Sequence, residues 1–272
     1  MSFDKIRDYW NNQPCNIKHS SKPFASIEYF DDVEHKKYFV EPHIRDFADF
    51  DKWKNKRVLE LGCGIGTDSI NFARAGAILT VVELSDVSLE ICKKRFDVYG
   101  LTATFICANI ENISDILKDK QFDLIYSFGV IHHTLEPKRV MNQVYNLLAS
   151  DGEFRFMVYS KISFKLFWLM MEHNIKDISV GSKLVCSQSE AQKDCPTTFT
   201  YTFDEIKNEL LDERFDIIDI HKDHIFIYDI KNYKQNIYLK DEYWCNMDYK
   251  DIEEIAKELG WHTMVVCKLR KT

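Results

Sequence analysis

The chain predicts an α/β fold with a mostly parallel sheet and helices on both faces. Two observations carry that prediction. Strand-like and helix-like stretches alternate from residue 57 to residue 158, the pattern of a parallel sheet with crossover helices. The first strand-like run, Val58-Leu59-Glu60-Leu61, passes directly into Gly62-Cys63-Gly64-Ile65-Gly66, and a helical pattern opens at Thr67. Glycines two apart let the backbone turn tightly and approach a ligand, because no Cβ intervenes. The helix that follows offers N–H groups and a partial positive charge. In an open α/β sheet, such a turn at a strand's carboxyl end lies where ligands bind.

The elements follow in order. Strands are expected at 58–61, 79–83, 104–107, 122–127 and 153–158, and helices at 67–75, 86–99 and 137–148. Gly76, Gly100 and Gly152 stand at or just beyond the helix ends, where a left-handed residue is wanted. Residues 1–56 are polar and aromatic-rich, with a helix expected around His35 to Phe50, and read as an N-terminal helical lid. Tyr9-Trp10 and Pro14-Cys15-Asn16 are candidates for its ligand-facing part. Beyond 158 the alternation breaks. Ile162 to Asn174 reads as a helix, and 175–203 lacks a clean period. Phe203 to Leu211 reads as a helix with Thr202 as cap and Glu205 three residues on. Phe215–Ile220 and Met264–Leu269 read as the last strands, with an extra lobe between them. The expected organisation is a lid (1–56), a ligand-binding core (57–158), and the rest of the sheet with substrate-cap insertions (159–272), all in one domain. Segments 1–56, 160–203 and 221–262 are expected to wall a substrate pocket.

The glycine pattern narrows the ligand. A dinucleotide fingerprint, G-x-G-x-x-G, needs glycine at 67, which is Thr67, and no Gly-Lys-Ser/Thr of a P-loop follows. Glu60 stands two residues before the first glycine. A carboxylate there repels a pyrophosphate and attracts a cationic amino-acid ligand, such as the ammonium and sulfonium of S-adenosylmethionine. The plain alternative is a glycine turn with a structural Glu60. Residues 58–68 resemble motif I of the class I S-adenosylmethionine-dependent methyltransferases.

Three more segments resemble that family in order and spacing. Glu83 ends the second strand seventeen residues past Gly66, near the spacing at which a carboxylate meets a ribose. The third strand is followed by Ala108-Asn109-Ile110, and the fourth by Phe128-Gly129-Val130-Ile131-His132-His133. The resemblance implies a Rossmann-like seven-stranded sheet with an antiparallel last strand. It also implies a cofactor site made of Glu60, Gly62, Cys63, Gly64, Gly66, Thr67 and Asp68, then Glu83, Leu84 and Ser85, then Asn109 and Ile110, and finally Ser127, Phe128 and Gly129. Glu83 would hold the ribose, and Asn109 (where the family usually has Asp) the adenine amino group. The segment after strand four would face the methyl group. The cofactor implied is S-adenosyl-L-methionine, with S-adenosyl-L-homocysteine as product.

Methyl transfer from a sulfonium is an in-line displacement, and a hydroxyl acceptor also needs a base. His132 and His133 are the candidates, since imidazole titrates near neutrality. Packing of one ring and loop-shaping by the other is the competing reading. Glu190, Gln192, Tyr201 and His224 are candidate substrate contacts. His221 and His224 form H-x-x-H, but no third ligand has a matching spacing, so no metal is expected.

Composition excludes other classes. Among 272 residues, 43 acids against 36 Lys and Arg give a net charge of −7, so nucleic acid is not expected as partner. No apolar run approaches the roughly 18–20 residues that cross a bilayer. No apolar signal core follows Met1, and none of the 8 cysteines pairs as C-x-x-C, so free thiols and a cytoplasmic location are expected. The Asn/Asp-Pro-Pro-Tyr/Phe signature of enzymes that methylate DNA adenine or protein glutamine is replaced by Ser127-Phe128-Gly129-Val130. Tyr38-Phe39-Val40-Glu41-Pro42-His43-Ile44, Phe128 to Thr134 and Glu190-Ala191-Gln192 resemble bacterial small-molecule methyltransferases associated with polysaccharide and natural-product pathways. The expected reaction is O-methylation of a polar small molecule, with a sugar hydroxyl, on a nucleotide-linked sugar included, placed first. N- or C-methylation of another metabolite, a non-catalytic cofactor-binding protein and a dinucleotide oxidoreductase are the alternatives.

Overall fold

The computed structural model describes residues 2–187 and 195–271. Three helices, α1 (Phe3–Asn12), α2 (Ile27–Val40) and α3 (His43–Ala48), precede the sheet. The core then alternates: β1 (Arg57–Leu61), α4 (Thr67–Arg74), β2 (Ile78–Glu83), α5 (Asp86–Tyr99), β3 (Thr104–Cys107), α6 (Ile113–Ile116), β4 (Phe122–Phe128), α7 (Pro137–Leu147) and β5 (Leu148–Tyr159). After it come α8 (Phe164–Glu172), α9 (Ile178–Ser187) and α10 (Phe203–Glu205), the last continued by a π-helical turn, Ile206–Leu210. The chain closes with β6 (Phe215–Asp223), α11 (Ile230–Tyr233), α12 (Tyr249–Leu259) and β7 (His262–Leu269).

The strands form one seven-stranded sheet in the order β3-β2-β1-β4-β5-β7-β6, and β7 alone runs opposite to the rest. The chain builds outward from β1 to β3, then returns to place β4 on the other side of β1. That reversal leaves a crevice over the carboxyl ends of β1 and β4.

Strand alternation divides the core. Leu59 and Leu61 join Val140, Val144 and Leu147 of α7 on one face, while Val58 joins Ile70 and Phe72 of α4 and Phe96 of α5 on the other. Both faces of the inner strands are therefore dry, which is why β1 and β2 read as continuous apolar runs. Each such Leu or Phe contributes about 1.5–3 kcal/mol of burial. Cys107, the last residue of β3, is exposed because β3 is a sheet edge. Among the described residues no helix is long and apolar enough to cross a membrane.

Two expected elements change. The single helix around 35–50 is broken into α2 and α3 at Glu41-Pro42. Proline disfavours a helical residue before it, and Glu41 adopts φ −126° and ψ 62°. The fifth strand starts early, at Leu148, and absorbs a register shift opposite Phe122 and Leu124. The capping box at Thr202 and Glu205 is present. The break at Pro42 matters beyond the fold, because it turns Glu41 toward the crevice and sets His43 against His262.

Candidate active site

A cavity of about 220 Å³ opens over the switch point and touches the ends of β1, β2, β3 and β4. Its floor is the glycine turn. Gly62 adopts φ +81°, and a Cβ there would sit 2.4 Å from Val130 Cγ2, so the turns after β1 and β4 touch only because residue 62 has no side chain. At Gly64 (φ +53°) no atom lies within 4 Å of an added Cβ. The backbone is thus bare where the cavity begins.

Glu83 ties two turns together. Its Oε2 accepts from Gly64 N–H at 2.8 Å and its Oε1 from Ser85 N–H at 2.9 Å. Each oxygen keeps a further lone pair for a ligand. Burial pushes this carboxyl upward, and the backbone N–H bonds hold it back. Glu60 is buried and accepts from Ser69 Oγ. Burial, and then the nearby Asp68 charge, push its carboxyl up to about 8. Asp68 itself accepts from Lys37 Nζ at 2.7 Å, Tyr38 Oη at 2.8 Å and Tyr126 Oη at 3.1 Å.

The comparisons with known proteins agree with this geometry. A family model described as a methyltransferase domain matches residues 58–152. The ubiquinone biosynthesis O-methyltransferase of Coxiella burnetii (strain RSA 493 / Nine Mile phase I) is 30% identical over 109 residues, 40% of this chain and 45% of that protein. The enzyme of the same name from Actinobacillus pleuropneumoniae serotype 5b (strain L20) is 28% identical over 109 residues, 39% of this chain and 47% of that protein. The chain thus spans about half the length of the curated relatives it matches. Among solved structures, magnesium protoporphyrin IX methyltransferase from Synechocystis PCC 6803 with bound SAH superposes with a TM-score of 0.61 at 15% identity, over 99% of this chain and 100% of that one. A S-adenosylmethionine-dependent methyltransferase from Clostridium acetobutylicum ATCC 824 gives 0.55 at 14% identity, over 89% and 99%. Residues 58–152 thus carry a methyltransferase domain, similar to those of S-adenosylmethionine-dependent methyltransferases.

The methyltransferase domain has the features its cofactor, S-adenosylmethionine, requires. A fixed carboxylate at Glu83 suits a ribose diol, the bare backbone at Gly64 admits close approach, and Glu60 places a titratable acid for a cation. Of the residues expected to hold the cofactor, Glu60, Gly62, Cys63, Gly64, Thr67, Asp68, Glu83, Leu84, Asn109, Ile110, Phe128 and Gly129 line the cavity. Gly66, Ser85 and Ser127 do not. Gly66 abuts Cys92, where an added Cβ would sit 2.5 Å from Sγ, and it opens α4. Ser85 caps α5 by accepting from Ser88 N–H at 3.0 Å, and Ser127 donates to the Leu61 carbonyl at 3.1 Å. Asn109 caps its own turn, its Oδ1 accepting from Glu111 N–H at 2.9 Å.

The two histidines of the methyltransferase loop after β4 separate. His133 lines the cavity. Its Nδ1 donates to the Thr197 carbonyl at 2.9 Å, which leaves Nε2 as the proton-accepting nitrogen. Burial pushes its pKa down to about 4. His132 lies behind the cavity wall, fully buried, with its ring centre 3.9 Å from that of Tyr159. Neither of its ring nitrogens has a hydrogen-bond partner among the described residues, and burial holds it well below the usual range. The two rings remain in contact, with centres 4.2 Å apart, yet only His133 reaches the cavity wall.

Other expected contacts fall elsewhere. Tyr201 lies beside the cavity wall, its backbone bridged to Ser160. His224 lines a neighbouring pocket with Trp168, Trp244 and Trp261. Glu190 and Gln192 lie outside the described residues. The H-x-x-H pair is not one site, since His221 is half-exposed and its Nδ1 lies 2.6 Å from Asp219 Oδ2.

Further residues line the same cavity. Glu41, Met157, Tyr159 and His262, not expected from the sequence, line it, as do Phe3 and Ile6 of α1 beside the expected Trp10. Positions 3, 6 and 10 form one helical stripe, a signal that was legible. Trp10 lies edge-on to His133 with ring centres 5.2 Å apart. Lys37 reaches in from α2 to neutralise Asp68.

Proposed function

We propose that the protein is an S-adenosylmethionine-dependent O-methyltransferase acting on a hydroxyl of a small molecule. One observation carries this reading. A single cavity joins the glycine turn, Glu83 and Asn109 to an end bounded by Glu41, His133, Tyr159 and His262. In this reading Glu83 receives the ribose hydroxyls. The Asn109 oxygen already serves Glu111, so its NH₂ is matched to an adenine ring nitrogen rather than to the exocyclic amine. Glu60 and the glycine turn take the methionine end. The N-terminal segment acts as a lid, with Trp10 against His133.

The chemistry needs alignment first. Holding the acceptor oxygen in line with the methyl carbon and sulfur supplies roughly 7–11 kcal/mol. A base adds about 10²–10⁴-fold. His133 is placed for that role, its Nδ1–H held by the Thr197 carbonyl and its Nε2 left to accept a proton. Its depressed pKa keeps it neutral at physiological pH, yet also makes it a weak base. A hydroxyl acidified by its surroundings would suit it best.

A sugar hydroxyl, carried on a nucleotide or free, is the first acceptor class. Glu41 and His262 offer polar partners for a polyol, and Trp10 and Tyr159 offer faces for a sugar ring. A phenol is the second, favoured by Phe3 and Trp10 of α1 and by the similarity to ubiquinone biosynthesis O-methyltransferases. Incubation with methyl-labelled cofactor and a panel of nucleotide sugars, free sugars, phenols and amines decides between them. Label in a sugar supports the first class and label in a phenol the second. Transfer to amines alone, or calorimetric cofactor binding with no turnover on any acceptor, removes the O-methyltransferase reading.

A further inference from the structure

Three imidazoles and a carboxylate from separate segments converge at the acceptor end. Glu41 follows α2, His43 opens α3, His224 follows β6 and His262 opens β7. Ligand atoms of Glu41, His224 and His262 all lie within 4.8 Å of one another. The His224 and His262 rings stack with centres 4.6 Å apart, and His262 Nε2 is 3.7 Å from Glu41 Oε1. An ion bonding each at about 2.0–2.2 Å needs only a small contraction of this group.

The fold builds the convergence deliberately. His224 adopts φ +68°, a left-handed conformation that costs about 1 kcal/mol or more in a residue with a Cβ. Its carbonyl accepts from Trp261 N–H at 2.8 Å. Gly260 permits the approach, since a Cβ there would lie 2.3 Å from the Asp223 carbonyl oxygen. The end of β6 is thereby pressed onto the start of β7, and residue 224 meets residue 262.

Outer partners orient the rings. His262 Nδ1 is 3.0 Å from His43 Nε2, and His43 Nδ1 is 3.8 Å from Asp223 Oδ1. A proton on His262 Nδ1, donated to His43, leaves Nε2 with its lone pair on the Glu41 side. His43 then carries its own proton on Nδ1, toward Asp223. Metal-ligating histidines are held in this way by a second partner that fixes the tautomer.

We propose that Glu41, His224 and His262 form a site for one divalent transition-metal ion of the zinc type, with a coordination position left toward the acceptor cavity. Two imidazoles, one carboxylate and an open position form a ligand set that catalytic zinc sites use. Glu41 and His262 line the cavity, so the open position faces the space assigned to the acceptor. The ion's role there rests on the methyltransferase reading, whereas its binding does not. An acceptor hydroxyl on the ion would be more acidic, and would pass its proton to His133 Nε2 more readily. The O–CH₃ bond then forms as the S–CH₃ bond breaks, and that bond's electron pair stays on sulfur. His43 is a positioning residue in this scheme.

The full chain, stripped of metal by chelator and dialysis, is titrated with Zn²⁺ and with Co²⁺. Calorimetry reads stoichiometry, and the visible absorption of bound Co²⁺ reads the ligand set. One ion per chain is expected. His224→Ala and Glu41→Gln should each weaken binding by at least about 10-fold and change the Co²⁺ spectrum. His43→Gln should weaken it by roughly 10–100-fold, as loss of an outer partner does. His221→Ala should change nothing. His224→Gln keeps the polar bulk if the alanine variant misfolds, and circular dichroism checks both. No binding by the wild-type chain overturns the proposal. Binding unchanged in His224→Gln and Glu41→Gln also overturns it, because the ion then sits on other groups such as the cysteine thiols. A chain that binds one ion at these residues but transfers no methyl group leaves the site standing and removes the methyltransferase reading instead.

Discussion

The two ends of the cavity are built in opposite ways. The end proposed for the cofactor comes from short turns after successive strands, and backbone N–H groups fix its Glu83. The acceptor end gathers side chains from α1, the α2–α3 break, the turn after β4, β5 and β7, and its titratable groups are mostly buried neutral imidazoles. The first is held by local chain geometry and the second by tertiary packing. A substitution at the cofactor end should therefore act on cofactor binding, and one at the acceptor end on turnover.

His133→Asn tests that division with the largest effect. It should lower kcat by about 10²–10⁴-fold on the true acceptor while cofactor affinity, read by calorimetry, stays within a few-fold. An unchanged kcat removes His133 as base. An equal loss of cofactor affinity dissolves the division itself. Because burial holds His133 at about 4, no activity loss near pH 6.5 should come from its protonation.

At the other end, Glu83→Ala leaves the Gly64 and Ser85 N–H groups without their acceptor and removes the ribose partner. Cofactor affinity should fall roughly 10²-fold, since an unsatisfied buried group costs about 1–3 kcal/mol. A change smaller than threefold would break the assignment of this carboxylate. Gly62→Ala sharpens the same point through stability. Its Cβ meets Val130 at 2.4 Å in a left-handed backbone, so thermal unfolding should show a loss of about 1–3 kcal/mol. An unaltered melting temperature would mean that the two turns are not locked together.

The smallest expected effect is a proton. With its carboxyl pushed up to about 8, Glu60 is mostly protonated at neutral pH before the cofactor binds. A sulfonium or ammonium nearby favours the carboxylate, so binding should release up to one proton. Affinity should then rise with pH below about 8, by at most about tenfold per unit. Calorimetry in buffers of different ionisation enthalpy measures the release, and its absence sinks this account of Glu60. The same shift acts on folding without cofactor. A raised acid binds its proton more tightly when folded, so its contribution is present below the unfolded pKa and is lost as pH rises toward 8. The buried histidines act oppositely. Their folded values lie below 6.5, so stability is lost as pH falls below 6.5, by up to about 1.4 kcal/mol per unit for each.

The sequence by itself determined the sheet, the switch point and most of the cofactor end. Parallel strands buried on both faces must be apolar runs, and their connecting turns must carry the glycines and acids that meet a ligand. Those signals are local, so Gly62, Gly64, Glu60 and Glu83 were legible from spacing alone. Gly66 and Ser85 were drawn in by the same spacing, yet their neighbours turn them to packing and capping. The tertiary structure alone decided the acceptor end. Glu41, His224 and His262 share no spacing, and they meet because Pro42 breaks a helix, Gly260 admits Asp223, and β7 returns antiparallel between β5 and β6. Whether His132 or His133 faced the ligand was likewise set by the turn after β4, where one ring packs on Tyr159 and the other is held by the Thr197 carbonyl.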